Sequence, residues 1–329
     1  MNHPHDDNAK TETERSGPKI LIAGVGGAGC CVASKISESE RWNGKTVAID
    51  TDGQELVGKS ADKKILLDRT LIDDLEAENP PGKKSNEIRR KTNGVFSGTD
   101  VLILTSGLGG NTGSKISPAV AHLGKKAGAL VISIVTLPFE RGGNKRKEIA
   151  EEGQRRLSKE ADMVVLLSAG DVMERSSDLP IEEALDVMDE ELASIVLTLV
   201  SLVEDFYQFD PGFESVNSIF GEMGLTRAGR AECDIETKGT EIAEKIIESP
   251  LLRTNLPHTG GALLQITSGS KITPEKVEKI VERISEEIGG NGQVIWETRI
   301  DKSLGDVLRA FLLAPDTRFG MMDLDIEVL

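Results

Sequence analysis

Thr105-Ser106-Gly107-Leu108-Gly109-Gly110-Asn111-Thr112-Gly113-Ser114 follows the apolar run Val101 to Leu104 and leads into a helical pattern near Ser114. A strand that hands over to a helix through residues this small leaves backbone N–H groups uncovered. The helix N-terminus adds positive potential, so the turn is suited to face an anion. A second loop of the same kind, Gly24-Val25-Gly26-Gly27-Ala28-Gly29, follows the strand Ile20 to Ala23. Two such turns on neighbouring strand ends of one sheet would hold one polyphosphate from two sides.

Outward from these loops, apolar β-rich runs at Ile20 to Ala23, Thr46 to Ile49, Val101 to Leu104, Leu130 to Val135 and Met163 to Leu167 alternate with helical patterns near 29–40, 84–97, 114–127 and 144–159. That alternation predicts a parallel sheet with helices on both faces. Pro180 to Phe206 has helical spacing of apolar residues (Ile181, Ala184, Leu185, Met188, Leu192, Ile195, Val196, Leu199) and opens with Glu182 and Glu183, so it is expected to be a central helix between two lobes. Beyond it, helices near 238–248 and 273–288 with strands at Gly261 to Thr267, Gln293 to Ile300 and Leu308 to Leu313 predict a smaller α+β lobe. Residues 1–18 read as a disordered arm, 19–180 as a nucleotide-binding domain, 181–206 as the central helix, 207–315 as the second domain and 316–329 as an acidic tail.

Composition narrows the class of function. With 329 residues the chain exceeds the size at which a single core stops growing, which favours two lobes. A net charge of −16 disfavours nucleic acid and an anionic membrane surface as partners. The longest apolar run, Leu192 to Val203, is too short to insert directly into a bilayer, and residues 1–19 are polar, so a cytoplasmic location is expected. Of the three cysteines, adjacent Cys30 and Cys31 are poorly placed to pair with each other and read as packing residues rather than a reactive pair; Cys233 stands apart.

Gly24, Gly26 and Gly29 after a strand, with Asp50 closing the next one, also match the dinucleotide-binding fingerprint. That reading gives the loop at 107–114 no task, whereas a nucleoside triphosphate uses both loops.

Together these residues resemble the FtsZ/tubulin superfamily, closer to FtsZ than to tubulin, over nearly everything from Lys19 to Pro315. Gly24 to Gly29 is similar to the family's first phosphate loop, Asp50-Thr51-Asp52-Gly53-Gln54 to its second, and Asn79-Pro80 to the third, which senses the terminal phosphate. Gly107 to Ser114 resembles the glycine-rich signature, and Pro138-Phe139 with Lys145-Arg146 and Glu152-Gly153 resembles the ribose loop and the helix after it. Ser249 to Leu252, Ile266 to Ser270 and Leu304-Gly305-Asp306 match the second domain in the same order. The resemblance implies the tubulin/FtsZ fold, an α/β architecture: a Rossmann-like parallel-sheet GTPase domain, a central helix and a smaller α+β C-terminal domain.

It also implies GTP and GDP as ligands, with Mg²⁺ accompanying the triphosphate. By this resemblance the nucleotide contacts fall on Gly26, Gly27, Ala28, Gly29, Asp50, Asn79, Gly107, Gly109, Gly110, Asn111, Thr112, Gly113, Glu140, Arg146 and Asp189. Asp189 occupies the base contact: a carboxylate accepts from guanine N1–H and N2–H₂ together, a donor pair that adenine lacks on that edge. The chain departs from the family pattern at several points. Asn111 and Lys115 replace glycines of the signature, Gly142 stands at a usual glutamate with Glu140 two residues away, and Ala169 at a usual asparagine. A nucleotide affinity below the family norm is expected.

Hydrolysis in this family depends on assembly, because acids in the loop after the central helix enter the next subunit's pocket. Ungapped counting puts Asp210 at that loop's asparagine and Gly212 and Ser215 at its acids, which removes both. A one-residue shift leaves Asp210 and Glu214 as the catalytic pair. Two readings therefore stand: a GTP-dependent protein that assembles with itself head to tail into filaments in division or cell-shape control, hydrolysing slowly, and a non-hydrolysing regulator or scaffold that binds GTP or a related FtsZ-like filament. The end Asp323-Leu324-Asp325-Ile326-Glu327-Val328-Leu329 resembles the peptide that recruits membrane adaptors, without its proline and basic residue. Such an adaptor would bring the protein under the membrane or to a division site.

Overall fold

The computed structural model describes residues 17–70, 85–92, 94–139, 143–173, 178–209, 220–221, 223–252, 256, 259, 261–270, 272–289 and 293–316. The expected arm and tail fall almost wholly outside that set.

Within it the chain runs through β1 (Ile20–Val25), α1 (Gly26–Ser37), β2 (Lys45–Asp50), α2 (Gly53–Val57), β3 (Lys63–Leu66), α3 (Ser85–Lys91), β4 (Val101–Gly107), α4 (Asn111–Lys126), β5 (Leu130–Leu137), α5 (Asn144–Glu160), β6 (Met163–Ser168), α6 (Ala169–Met173) and α7 (Ile181–Phe209). It continues through β7 (Gly224–Asp234), α8 (Gly239–Ile247), β8 (Gly261–Ser268), α9 (Pro274–Ile288), β9 (Gln293–Ile300) and β10 (Val307–Pro315). All ten strands join one sheet in the order β3-β2-β1-β4-β5-β6-β7-β10-β8-β9.

The first six strands are parallel and the inner ones are buried on both faces, as their unbroken apolar runs require. On one face Ile22, Ile103, Ile132 and Val165 pack with Val32 and Ile36 of α1 and with the buried stripe of α7. On the other, Leu21, Ala23, Leu102 and Leu104 pack with Ile116 and Val120 of α4 and Leu157 of α5. The stripe of α7, including Leu192, Val196, Leu199 and Val203, also meets Ala228, Leu263 and Phe311 of the later strands, so this helix is packed by both halves of the sheet.

Three expectations change. The two lobes are not separated in the sheet: β7, absent from the sequence reading, pairs parallel with β6 at Met163↔Gly224, Val164↔Leu225 and Val165↔Thr226, and antiparallel with β10. Ile181 and Leu185, read as core positions of the central helix, are 64% and 39% exposed, and the buried stripe begins at Ala184 and Met188. Asp316, read as the start of the tail, is buried: its N–H donates to the Leu225 carbonyl and its carboxylate pairs with Arg227 at 2.8 Å.

Candidate nucleotide site

β1 lies between β2 and β4, so the chain leaves β1 towards one side and returns on the other. In open parallel sheets this crossing is where strand ends part and ligands settle. Both glycine loops sit here, because the register Val25↔Ser106 sets their starting points side by side.

The backbones close up through glycine. A Cβ on Gly29 would overlap the Thr105 carbonyl oxygen, and one on Gly113 would overlap that of Gly107. Gly26 has φ +74°, and its missing Cβ would lie 3.0 Å from the Gly113 nitrogen. Only glycine permits this approach with that backbone geometry.

Helix ends then face the cleft without their own caps. α1 begins after Val25 and α4 after Gly110, and neither has a side-chain cap or an acidic residue in its first turn. The first N–H groups of a helix have no partner within it. Gly26, Gly27 and Ala28 in one helix, and Gly110, Asn111, Thr112 and Gly113 in the other, therefore present donors with the favourable dipole behind them. Gly109 differs from expectation, for its N–H donates to Ser114 Oγ at 2.8 Å. Its φ of +93° shapes the turn, and a Cβ there would stand 3.0 Å from the carbonyl oxygen of Arg146 on α5. That places the first turn of α5 against the glycine-rich loop.

Asp50 ends β2 buried. Its Oδ1 accepts the N–H of Thr51 at 2.6 Å and of Asp52 at 3.1 Å, whereas Oδ2 is buried with no hydrogen-bond partner among the described residues. An orphan carboxylate oxygen costs free energy unless something else supplies a donor. Thr51 and Thr112 join their hydroxyls at 3.0 Å, which ties the second loop to the glycine-rich turn.

The far end is formed by α1 and α7. Lys35 lies 2.7 Å from Asp186 and 3.2 Å from Glu190, spanning one turn of α7. Asp189 stands between those two acids in sequence. Burial pushes its carboxyl up to about 6, opposed by a hydrogen bond from Cys31 and by the Lys59 charge. Cys31 is five residues beyond Gly26, about 7.5 Å along the helix, so the cleft offers amide donors at one end and a carboxylate further in. Cys30 has a different fate: buried against the carbonyls of Gly24 and Ile49, its thiol is pushed up to about 12 by burial and is a packing residue.

Of the residues singled out in the sequence, Gly26 to Gly29, Asp50, Gly107, Gly109 to Gly113, Arg146 and Asp189 lie on the elements around this cleft. Asn79, Glu140, Asp210 and Glu214 lie outside the described residues. Sequence reasoning took Cys31 as packing alone and passed over Lys59, whose Nζ lies 2.9 Å from Cys31 Sγ. No residue spacing marks a contact across 28 positions. An uncapped amide cradle, an orphan buried carboxylate oxygen and a half-buried acid fit a nucleoside polyphosphate.

Known proteins agree with that architecture. Residues 19–174 match the family model described as the Tubulin/FtsZ family, GTPase domain, and residues 223–318 that of the FtsZ family, C-terminal domain. Cell division protein FtsZ 1 of Thermococcus kodakarensis is 34% identical over 311 residues, covering 94% of this chain and 83% of that protein. Among solved structures, the empty FtsZ dimer of M. jannaschii aligns with a TM-score of 0.78 at 30% identity, over 93% of this chain and 90% of that one. CetZ2 from Haloferax volcanii, solved as a GTPγS-bound protofilament, shares the fold with a TM-score of 0.74 at 18% identity, over 91% and 93% of the two chains. With both domain models matched in order along one continuous sheet, the chain belongs to the FtsZ family of tubulin-like GTPases.

Proposed function

We propose that the protein binds GTP in the cleft where β1 and β4 part, releases GDP after slow hydrolysis, and stacks head to tail with further copies of itself as a division or cell-shape filament. The convergence of two long helices at one strand crossing, both uncapped and free of acids in their first turns, carries this reading.

In it the amides of Gly26, Gly27 and Ala28 and of Gly110 to Gly113 hold the phosphate oxygens, and the Thr112 hydroxyl adds a donor. Gly29, Gly107 and Gly109 shape the backbone so that these donors converge. Asp50 contributes its unpaired oxygen at the second loop, towards a ligand hydroxyl or a water of a bound Mg²⁺. Arg146, on the α5 turn beside Gly109, supplies positive charge at the sugar side, where Glu140 accepts from a sugar hydroxyl, and Asn79 senses the terminal phosphate. Asp189 accepts from guanine N1–H and N2–H₂. When bound, Mg²⁺ offsets charge between the phosphates. Asp210 and Glu214 act in trans, orienting water in the neighbour's site, so turnover follows assembly. Stacking of this heterologous kind gives open filaments.

The altered signature at Asn111 and Lys115, and a loop that ungapped counting leaves with Gly212 and Ser215 at its acid positions, favour a second reading, a regulator that keeps GTP without turnover. Phosphate release measured against protein concentration, at saturating GTP and Mg²⁺, separates the two. Turnover rising more steeply than linearly, and lost in an Asp210→Ala/Glu214→Ala double variant, supports the filament GTPase. GTP binding with no turnover at any concentration overturns it in favour of the regulator.

A further inference from the structure

A cavity of about 450 Å³ lies apart from the nucleotide cleft, and none of its lining residues belongs to the glycine loops. Its walls come from the turn after α1, from residues 197–204 of α7, from β8 and β10, and from the turn between β9 and β10. A volume of that size takes a small ligand or several side chains of an extended segment. Arg41, Arg230, Arg299, Lys302 and Arg309 line it beside Glu40, Glu204 and Asp301, so cations outnumber acids there in a chain whose net charge is −16. Trp42, Val200 and Phe311 add an apolar wall.

The cations are held close together. Arg309 Nε lies 2.6 Å and Arg230 Nη2 3.7 Å from the same Glu232 Oε2, so two guanidiniums converge on one carboxylate oxygen. Arg230 also pairs with Glu191 at 2.5 Å, and Arg299 with Asp205 at 3.3 Å. Arg41 sits on a turn closed by the Trp42 N–H donating to the Ser39 carbonyl. Both it and Lys302 are exposed and make no ion pair among the described residues. Like charges gathered at one rim repel one another, and an anion seated among them offsets that repulsion.

We infer that the segment 317–329 of the same chain folds back into this cavity, with Asp323, Asp325 and Glu327 towards the cations and Leu324, Ile326 and Val328 towards the apolar wall. The strict alternation of acidic and apolar residues suits an extended segment, whose successive side chains face opposite ways. Reach agrees with charge. Asp316 is held at the end of β10 by the Leu225 carbonyl and Arg227, and Arg309 of the cavity lies six positions before Pro315 on that strand, roughly 20 Å away. The six residues from Thr317 to Met322 span about the same distance when extended. A segment tethered at such a distance has an effective concentration of about a millimolar or more, which favours it over a separate acidic peptide. Seated there, the tail ties α7 and the turn after α1 to β10 and is withheld from other partners.

The test is photo-cross-linking in the full chain, nucleotide-free and dilute, with benzoylphenylalanine replacing Ile326 and the adducts mapped by mass spectrometry. Adducts within one chain are expected at residues 40–43, 197–204 or 299–302. Arg41→Glu/Lys302→Glu should cut their yield about tenfold, and so should Asp323→Lys/Asp325→Lys, which leaves the cavity wall untouched. Combining the two pairs of reversals should recover most of the yield. Adducts confined to other surfaces, adducts found only between two chains, or a yield that the tail reversals leave unchanged overturn the inference. Thermal unfolding checks that the variants fold. If Arg41→Glu/Lys302→Glu does not, the tail reversals decide by the same criterion.

Discussion

The helices that start around the strand crossing and those of the second half treat their N-termini differently. In the parallel half, α1, α4 and α5, which border the cleft, start without a side-chain cap and without an acid in the first turn, whereas α2 is capped by Asp52 and carries Glu55. In the second half, α9 starts with Pro274 in its first turn, Thr273 capping the Lys276 N–H and Glu275 following, and α8 carries Glu241 in its first turn. Capping and first-turn acids each stabilise a helix by about 0.5–1 kcal/mol, so helices that omit both give up stability at the strand crossing. The difference teaches that α1, α4 and α5 leave out both devices where they meet, which keeps their donors open to an anion, whereas α2, α8 and α9 each carry a cap, a first-turn acid or both.

The largest way to break the contrast is steric. Gly29→Ala drives a Cβ into the Thr105 carbonyl oxygen, and is expected to cost about 3 kcal/mol or more and to disrupt the cradle. Gly58→Ala, with open space around it at φ −84°, should stay within about 0.5 kcal/mol of wild type. Chemical denaturation of the two variants checks both values.

Asp189→Ala comes next. Loss of a charged acceptor for two donors should weaken GTP about 100-fold, roughly 3 kcal/mol, in an equilibrium titration while ATP binding changes little.

A charge at the open end sharpens the comparison further. Gly110→Asp places a good cap at an extended N-cap position with nothing within 4 Å, which should stabilise the free protein by about 0.5–1 kcal/mol. The same carboxylate would repel phosphate and weaken GTP roughly tenfold. In the second half Thr273→Ala should lower stability by about 1 kcal/mol and leave GTP affinity unchanged. Thermal unfolding with and without GTP separates these two outcomes.

The smallest effect follows from pH. Burial pushes Asp189 up from the ordinary carboxylate range to about 6, so the folded free protein holds a proton that the unfolded chain gives up over that range. Its contribution to stability is therefore lost as pH rises from about 4 to 6, and at pH 7 the ionised group opposes folding. Because Asp189 remains partly open to solvent, that cost is on the order of 1 kcal/mol. Asp189→Asn should raise the melting temperature of the free protein at pH 7 by a degree or two and leave it nearly unchanged at pH 4.

Much of the parallel half was legible because its signals are local. An apolar run followed by glycines specifies a strand, a turn and a helix start, and the loops at 24–29 and 107–113 meet at one crossing as their strand positions imply. β7 escaped notice because Arg227 and Arg230 interrupt its apolar pattern. In the fold Arg227 meets Asp316 and Arg230 meets Glu191, both far away in sequence. Leu185 and Ile181 fit helical spacing equally well whether or not the sheet reaches under them. Gly109 shows a similar limit: its φ was foreseeable from its type, but the hydrogen bond to Ser114 that occupies its N–H was not. The Lys59–Cys31 contact is wholly tertiary, so no pattern in the sequence announced it.

The most direct test of the account is a parallel titration of nucleotide-free protein with GTP and ATP at pH 7.5 in the presence of Mg²⁺. The account predicts saturable one-site GTP binding and ATP binding at least 100-fold weaker, with Gly110→Asp reducing the former. Equal affinity for the two nucleotides, or no binding of either, would contradict it.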